Sequence, residues 1–308
     1  MTPRQLKRLA VVLVAVLILW GMLEMLGGRS DMIEEVGLLR PVTAAEVDTI
    51  ELAGPDDTVR LVQSVPGTWS VNGYPASADG VSELFRAIAE SVKASLVARS
   101  PSSHQRMGVD TASGKRLRIV RGDNTLANLV VGRQGRQFRT VYARRDGDDR
   151  VYLMEGALAP LLDRSLTDWR DKRIVAVEPD SITRVAVERG GSGYAIERAA
   201  EGWTFTDGGQ TDSAAVSKLL GGFRDLVAQG AAFAAPEQVD STDFVRPDRR
   251  VTLFGGQADT LAALVFDSTE AAYWVRHAAG GIIYRLYSWK VDDLAPADSS
   301  LRKKEEGQ

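Results

Sequence analysis

Cysteine is absent from the sequence, which removes disulfides, thiolate nucleophiles, Cys-based metal sites and any lipid-modified cysteine together. Histidine is scarce: only His104 and His277 occur, and neither falls in a metal-ligand spacing such as H-E-x-x-H. Both read as solvated or locally hydrogen-bonded side chains, because a switch or catalytic role needs a partner that the sequence does not indicate. No phosphate loop of the form G-x-x-x-x-G-K-[ST] is present, so the chain offers no phosphate-loop nucleotide site. Positive charge is not in excess either. With 38 basic and 41 acidic residues, the net charge is -3, which gives nucleic-acid binding no electrostatic footing.

What is present is ordinary globular material. Of 308 residues, 44% are hydrophobic and 26% charged, far from the low-hydrophobicity, high-charge compositions that stay disordered. The length suits two domains of about 100 to 150 residues, each able to bury its own core.

The N-terminus carries the long apolar run. Arg4, Lys7 and Arg8 precede Leu9 to Leu23, continued by Met25 and Leu26 after Glu24. As a helix, Leu9 to Leu26 reaches about 27 Å at roughly 1.5 Å per residue, close to the hydrocarbon thickness of about 30 Å. Glu24 falls in the last turn, and Trp20 lies where an interfacial aromatic is expected. The basic residues before the run, with Arg29, Asp31, Glu34 and Glu35 after it, place the N-terminus in the cytoplasm and the bulk outside by the positive-inside bias. The alternatives are a cleaved signal peptide and a buried core helix. The stretch Gly27-Gly28-Arg29-Ser30 matches an A-x-A cleavage site poorly.

Beyond the run, the chain repeats itself at an offset of about 135 residues, the mark of a duplicated unit. Ile50-Glu51-Leu52 corresponds to Val185-Ala186-Val187, and Val59-Arg60-Leu61 to Tyr194-Ala195-Ile196; such alternation reads as half-buried strand. Trp69 and Trp203 recur in one strand of each copy. Val81 to Ile88 aligns without a gap to Val216 to Phe223, with apolar residues at i, i+3, i+4 and i+7, the spacing that buries one helix face. Asp79 and Asp212 stand before these helices as N-caps. Leu126 to Val131 then matches Leu261 to Phe266. Strands joined by short turns favour antiparallel pairing.

The expected fold is therefore α+β: an N-terminal transmembrane helix followed by two tandem homologous modules, each a mostly antiparallel sheet with one main helix. The expected divisions are 1–28 cytoplasmic stub and anchor, 29–43 linker, 44–170 first module, 171–297 second module and 298–308 a disordered tail. Leu166 to Arg173 joins the copies, with Trp169 packed against a module and its charges solvated.

Motifs with chemical potential read as turns. Gly190-Gly191-Ser192-Gly193 lacks G-x-S-x-G and sits between two strand patterns. Asp146-Gly147-Asp148-Asp149 lacks the remaining ligands of a calcium loop, and Asp-Gly is a hairpin signal. No residue is singled out as catalytic, cofactor-binding or metal-ligating, and no cofactor is expected.

The anchor, Trp169-Arg170-Asp171-Lys172-Arg173-Ile174-Val175, Pro179-Asp180-Ser181-Ile182-Thr183-Arg184-Val185 and Gly202-Trp203-Thr204-Phe205 together resemble a family of bacterial envelope proteins known as domain of unknown function 4340. The likeness covers most of the chain and is densest from about 171 to 295. It implies an accessory component associated with ABC-type transport systems that carry a gliding-motility-like auxiliary subunit. No catalytic positions come with it. Two function classes follow. One is a non-catalytic accessory or scaffolding protein of the inner membrane that partners a membrane complex and touches the bilayer through its N-terminal helix. The other is an envelope glycan- or peptide-binding module or enzyme with dispersed carboxylates.

Overall fold

The computed structural model describes residues 13, 16, 18, 22, 35–55, 57–90, 93–229, 233, 242–269 and 272–303. It is sheet-rich α+β, and every strand pairing is antiparallel. The chain divides into two compact units, 1–169 and 170–308. The predicted anchor lies outside the described residues except for Leu13, Val16, Ile18 and Met22, which are helical and exposed. No helix among the described residues is long and apolar enough to cross a membrane.

The first unit holds ten strands: β1 (Glu35–Gly37), β2 (Thr49–Ala53), β3 (Thr58–Val65), β4 (Thr68–Val71), β5 (Tyr74–Pro75), β6 (Lys93–Ala98), β7 (Lys115–Arg121), β8 (Asn124–Gln134), β9 (Thr140–Arg145) and β10 (Val151–Glu155). They form one sheet in the order β1-β6-β10-β9-β8-β7-β2-β3-β4-β5. Helix α1 (Ala78–Ala89) packs Val81, Leu84, Phe85 and Ile88 into the core, and the Trp69 and Phe85 rings meet at 5.4 Å between centroids. Alternation sets the inner face of β2, where Ile50 and Leu52 are buried and their neighbours half-exposed, as the two-residue period of a strand requires.

The second unit comprises β11 (Arg173–Val175), β12 (Arg184–Arg189), β13 (Ser192–Ala199), β14 (Gly202–Phe205), β15 (Leu226–Val227), β16 (Arg249–Phe254), β17 (Thr260–Ser268), β18 (Ala272–His277) and β19 (Tyr284–Tyr287), with helices α2 (Ser213–Gly221) and α3 (Ser288–Leu294). Its main sheet runs β14-β13-β12-β16-β17-β18-β19, the order of β4-β3-β2-β7-β8-β9-β10 in the first unit. The registers agree as well. Ile50 pairs with Leu61 and Ile119, and Val185 with Ile196 and Leu253. Leu117 pairs with Leu129 and Val251 with Leu264. A one-residue slip would turn every inward side chain to solvent, so this agreement puts the same positions into both cores. Helix α2 stops at Gly221, short of Phe223, because two successive glycines weaken it. Phe223 is nevertheless fully buried. A Cβ on Gly222 would come within 2.9 Å of the Leu294 side chain, so the glycine lets α3 pack closely.

Three sequence expectations change. The linker 29–43 is not a linker over its described part: β1 pairs with β6, and Leu38, Leu39 and Val42 are buried in the first core, because three apolar side chains in five residues gain more from burial than from water. The cap of α1 is Ser77, whose hydroxyl accepts from the Gly80 N–H at 3.2 Å; Asp79 lies inside the first turn. Asp212 does cap α2, accepting from Ala214 and Ala215 N–H at 2.9 Å. The tail 298–308 is packed over its described part. Asp298–Ser300 forms a 3-10 turn, Leu301 is 1% exposed and Thr211 bridges to Arg302.

Candidate functional site

Each unit opens a shallow cleft at the end of its first hairpin. In the first, Ala53, Gly54 and Pro55 face Asp110, Thr111, Ala112 and Arg116 around about 220 Å³. In the second, Glu188 to Gly193 face Val245, Pro247, Asp248 and Arg250 around about 330 Å³. These are equivalent places, since Ala53 pairs with Arg116 in the first sheet and Glu188 with Arg250 in the second. The chemistry differs between them. Arg250 has Glu188 at 3.6 Å, whereas alanine at the matching position leaves Arg116 exposed and without an ion pair among the described residues.

The acidic group in the first cleft serves the loop. Asp110 accepts from the Ser113 hydroxyl at 2.5 Å and from the Ala112 and Ser113 N–H groups at 2.9 and 3.1 Å. The Ser113 hydroxyl, aided by the backbone donors, holds its carboxyl below the ordinary aspartate range, so it stays ionised and its proton affinity is low. In the second cleft, Gly190 and Gly191 take positive φ of 56° and 81° between the six paired positions of β12 and β13. This is a two-residue hairpin turn with both central residues left-handed, which glycine allows without strain.

The two histidines bond to the main chain. His104 Nε2 donates to the Asp149 carbonyl at 2.9 Å and His277 Nε2 to that of Ile174 at 2.8 Å. His277 pairs with Leu264, and Arg145 pairs with Leu129 at the matching register. Arg145 also ends on a main-chain oxygen, Gly37 O at 3.1 Å. Different side chains thus tie the same sheet position to an N-terminal segment in each unit. The Asp146 to Asp149 stretch is the β9–β10 turn, with Gly147 at φ 80°. Within it, Asp148 takes two contacts from Arg150 Nε at 3.1 Å and one from Nη2 at 2.9 Å. That guanidinium holds the Asp148 carboxyl below its usual range. No group of three or more His, Asp or Glu able to hold a metal occurs among the described residues.

Sequence reasoning missed two buried arginines. Arg144 and Arg249 are each 7% exposed. Arg144 Nε donates to Val109 O at 2.7 Å, and Arg249 pairs with Asp292 at 2.7 Å while reaching Ala295 O at 3.3 Å. Lys115 makes the matching contact in the first unit, to Leu162 O at 3.4 Å and Asp163 at 3.1 Å. A buried cation is stable only when paired or hydrogen-bonded; the Arg249 and Lys115 bonds fix the segment after the last strand of each sheet, and the Arg144 bond fixes the loop before β7. A charged residue beside strand residues is no signal of burial, so nothing in the sequence pointed to them.

A family model, domain of unknown function (DUF4340), matches residues 69–247, more than half of the chain. The match starts at Trp69 in β4 and continues through the second unit's first three sheet strands, so it is not confined to the later unit. Neither a curated protein nor a solved structure matches the chain. The chain belongs to the DUF4340 family.

Proposed function

We propose that the protein is a non-catalytic accessory or scaffolding protein of the bacterial envelope. It is anchored in the inner membrane by Leu9 to Leu26, with the N-terminus cytoplasmic and two tandem homologous modules outside. Its partner is a membrane complex, an ABC-type transporter with its auxiliary subunit in the reading that the sequence resemblance suggests. The observation that carries it is one frame presented twice with different surface chemistry: the same register position holds an Arg116 with no ion pair among the described residues in one cleft and a Glu188-paired Arg250 in the other. Such a frame offers two non-identical contact surfaces on one tether, and tethering raises the effective concentration of weak contacts. Several ionisable groups serve turns and strand ends: Asp110 and Asp148 hold loops, and His104 and His277 hold backbone carbonyls.

The test exports a version lacking residues 1–28 to the same compartment in a deletion strain. Loss of the phenotype supports a tethered scaffold. Full complementation would show that anchoring is dispensable and would move the weight to a diffusible binding module or enzyme. Protease added to spheroplasts should degrade the region beyond residue 40; its survival there would overturn the orientation.

A further inference from the structure

The hairpin joining β8 to β9 ends in a tip that the fold does not need. Around the last sheet pair, Gln134 with Val141, it carries Arg133, Arg136, Phe138 and Arg139. Phe138 is 89% exposed, the highest value among the described large hydrophobic side chains. Arg133, Arg136 and Arg139 are exposed and form no ion pair with a carboxylate among the described residues. The Arg139 guanidinium lies 5.6 Å from the Phe138 ring centroid. The tip is nevertheless held in shape. Gly135 N–H donates to Thr140 O at 2.9 Å, Thr140 Oγ1 to Gln137 O at 2.7 Å and Gly156 N–H to Arg139 O at 3.1 Å, with Thr140 itself buried. A preorganised exposed aromatic loses little entropy on binding.

The second unit shows what the frame requires. Its matching hairpin closes sooner, with Ser268 paired to Tyr273 and Thr269 N–H donating to Ala272 O at 2.8 Å. It has no arginine and no aromatic between those paired residues. The same sheet therefore closes without the basic, aromatic tip, and folding does not account for it.

We infer that this tip docks on an anionic phospholipid surface, with Phe138 entering the interfacial layer and Arg133, Arg136 and Arg139 pairing with lipid phosphates. An aromatic ring favours the headgroup level of a bilayer, and guanidinium matches phosphate oxygens bidentately. A lone protruding ring also needs no shaped pocket in a bilayer, which accepts it at any point. The inference rests on the anchored reading for proximity alone. β1 runs toward the tip: its first residue, Glu35, pairs with Ser95, level with Leu153 and Tyr142, and its last, Gly37, pairs with Lys93, near the level where Glu155 meets Thr140 beside the tip. Residues 27–34 can reach about 27 Å at roughly 3.4 Å each, against about 20 Å for a strand the length of β9. Anchor and tip can touch one bilayer together.

Because the chain has no cysteine, F138C is the single thiol of the full-length protein and takes one environment-sensitive nitrobenzoxadiazole dye; T269C in the second unit is the control. Each is reconstituted into vesicles of phosphatidylcholine alone or with phosphatidylglycerol. Flotation at high salt reads the anchor, and dye emission with quenching by spin-labelled acyl chains reads the tip. A chain that does not float is mixed with the same vesicles at low salt and read identically. The expected result is a blue-shifted, quenched dye at 138 only with phosphatidylglycerol, reversed by salt, and an unchanged dye at 269. Each of R133Q, R136Q and R139Q should lower the ratio of inserted to free tip roughly 5-fold. A dye at 138 that stays in water with phosphatidylglycerol overturns the inference whether or not the chain floats. So does a shift that follows protein concentration without regard to lipid charge, which would mean a second copy or another protein surface.

Discussion

The backbone N–H of Asp212 donates to the carbonyl of Leu301 at 2.7 Å, as that of Ser77 donates to Trp169 at 2.8 Å. Each pair ties the N-cap of a unit's main helix to the segment that closes the unit. Leu301 and Trp169 are both almost fully buried. A charged stretch between the copies and a polar C-terminus are thus the same structural part, filled by residues of different size.

Leu301→Ala should therefore destabilise the second unit by about 2–5 kcal/mol, the cost of deleting a buried leucine side chain and leaving a cavity. Urea unfolding followed by a probe confined to the second unit checks this, and equal midpoints for wild type and Leu301→Ala would refute the closing role of Leu301.

The two caps separate by position. Asp212→Ala and Ser77→Ala should each cost about 1 kcal/mol, since each leaves N–H groups at a helix start without an acceptor. Asp79→Ala should cost only about 0.3–1 kcal/mol, the worth of an exposed charge in the first turn. If Asp79→Ala proved the most costly of the three by thermal unfolding, the capping assignment would be wrong.

His277→Arg should fold with little loss of melting temperature, because an arginine at the matching register already spans to Gly37 O. His277→Ala removes the bond to Ile174 O and should cost about 0.5–1.5 kcal/mol. His104→Ala combined with His277→Ala should leave the cellular phenotype intact at permissive temperature, and loss of phenotype with stability retained would argue for chemistry.

Acid should weaken the second unit partly through Asp207. Its carboxyl is held below the ordinary range first by the Arg302 side chain, then by the Gly209 N–H, with Arg302 Nη2 at 2.6 Å. A depressed folded value stabilises above the unfolded pKa of about 3.9, and this contribution disappears as pH falls through the folded value. The pair is exposed, so the effect is small and screened by salt. Asp207→Asn should lower the neutral plateau slightly and match the wild type in strong acid, so that the acid limb below about pH 4 is shallower; an unchanged difference between plateau and acid limb would count against the pair.

Much of the frame was legible because it is written in local periodicity. Ile50 and Leu52, like Val185 and Val187, alternate with polar neighbours, and Val81, Leu84, Phe85 and Ile88 repeat at helical spacing, so neighbouring residues alone declare the face they bury. Capping was half-legible. Ser77 and Asp79 are both short and polar, and only the backbone geometry at Ser77 selects it, although the constant offset from Asp212 points to the same residue. The clefts were hidden, since their two walls are β2 and the loop before β7, far apart in sequence and joined only when Ala53 meets Arg116.

By itself the sequence determined that the chain is α+β, mostly antiparallel and built on a doubled pattern, because strand and helix periods are set within a few residues. Only tertiary structure decided that Leu38, Leu39 and Val42 belong to a core, that Trp169 and Leu301 close equivalent units, and that Arg144 and Arg249 are buried. Those outcomes depend on which distant carbonyls and apolar faces arrive beside them, and a side chain's own neighbours along the chain carry no record of that.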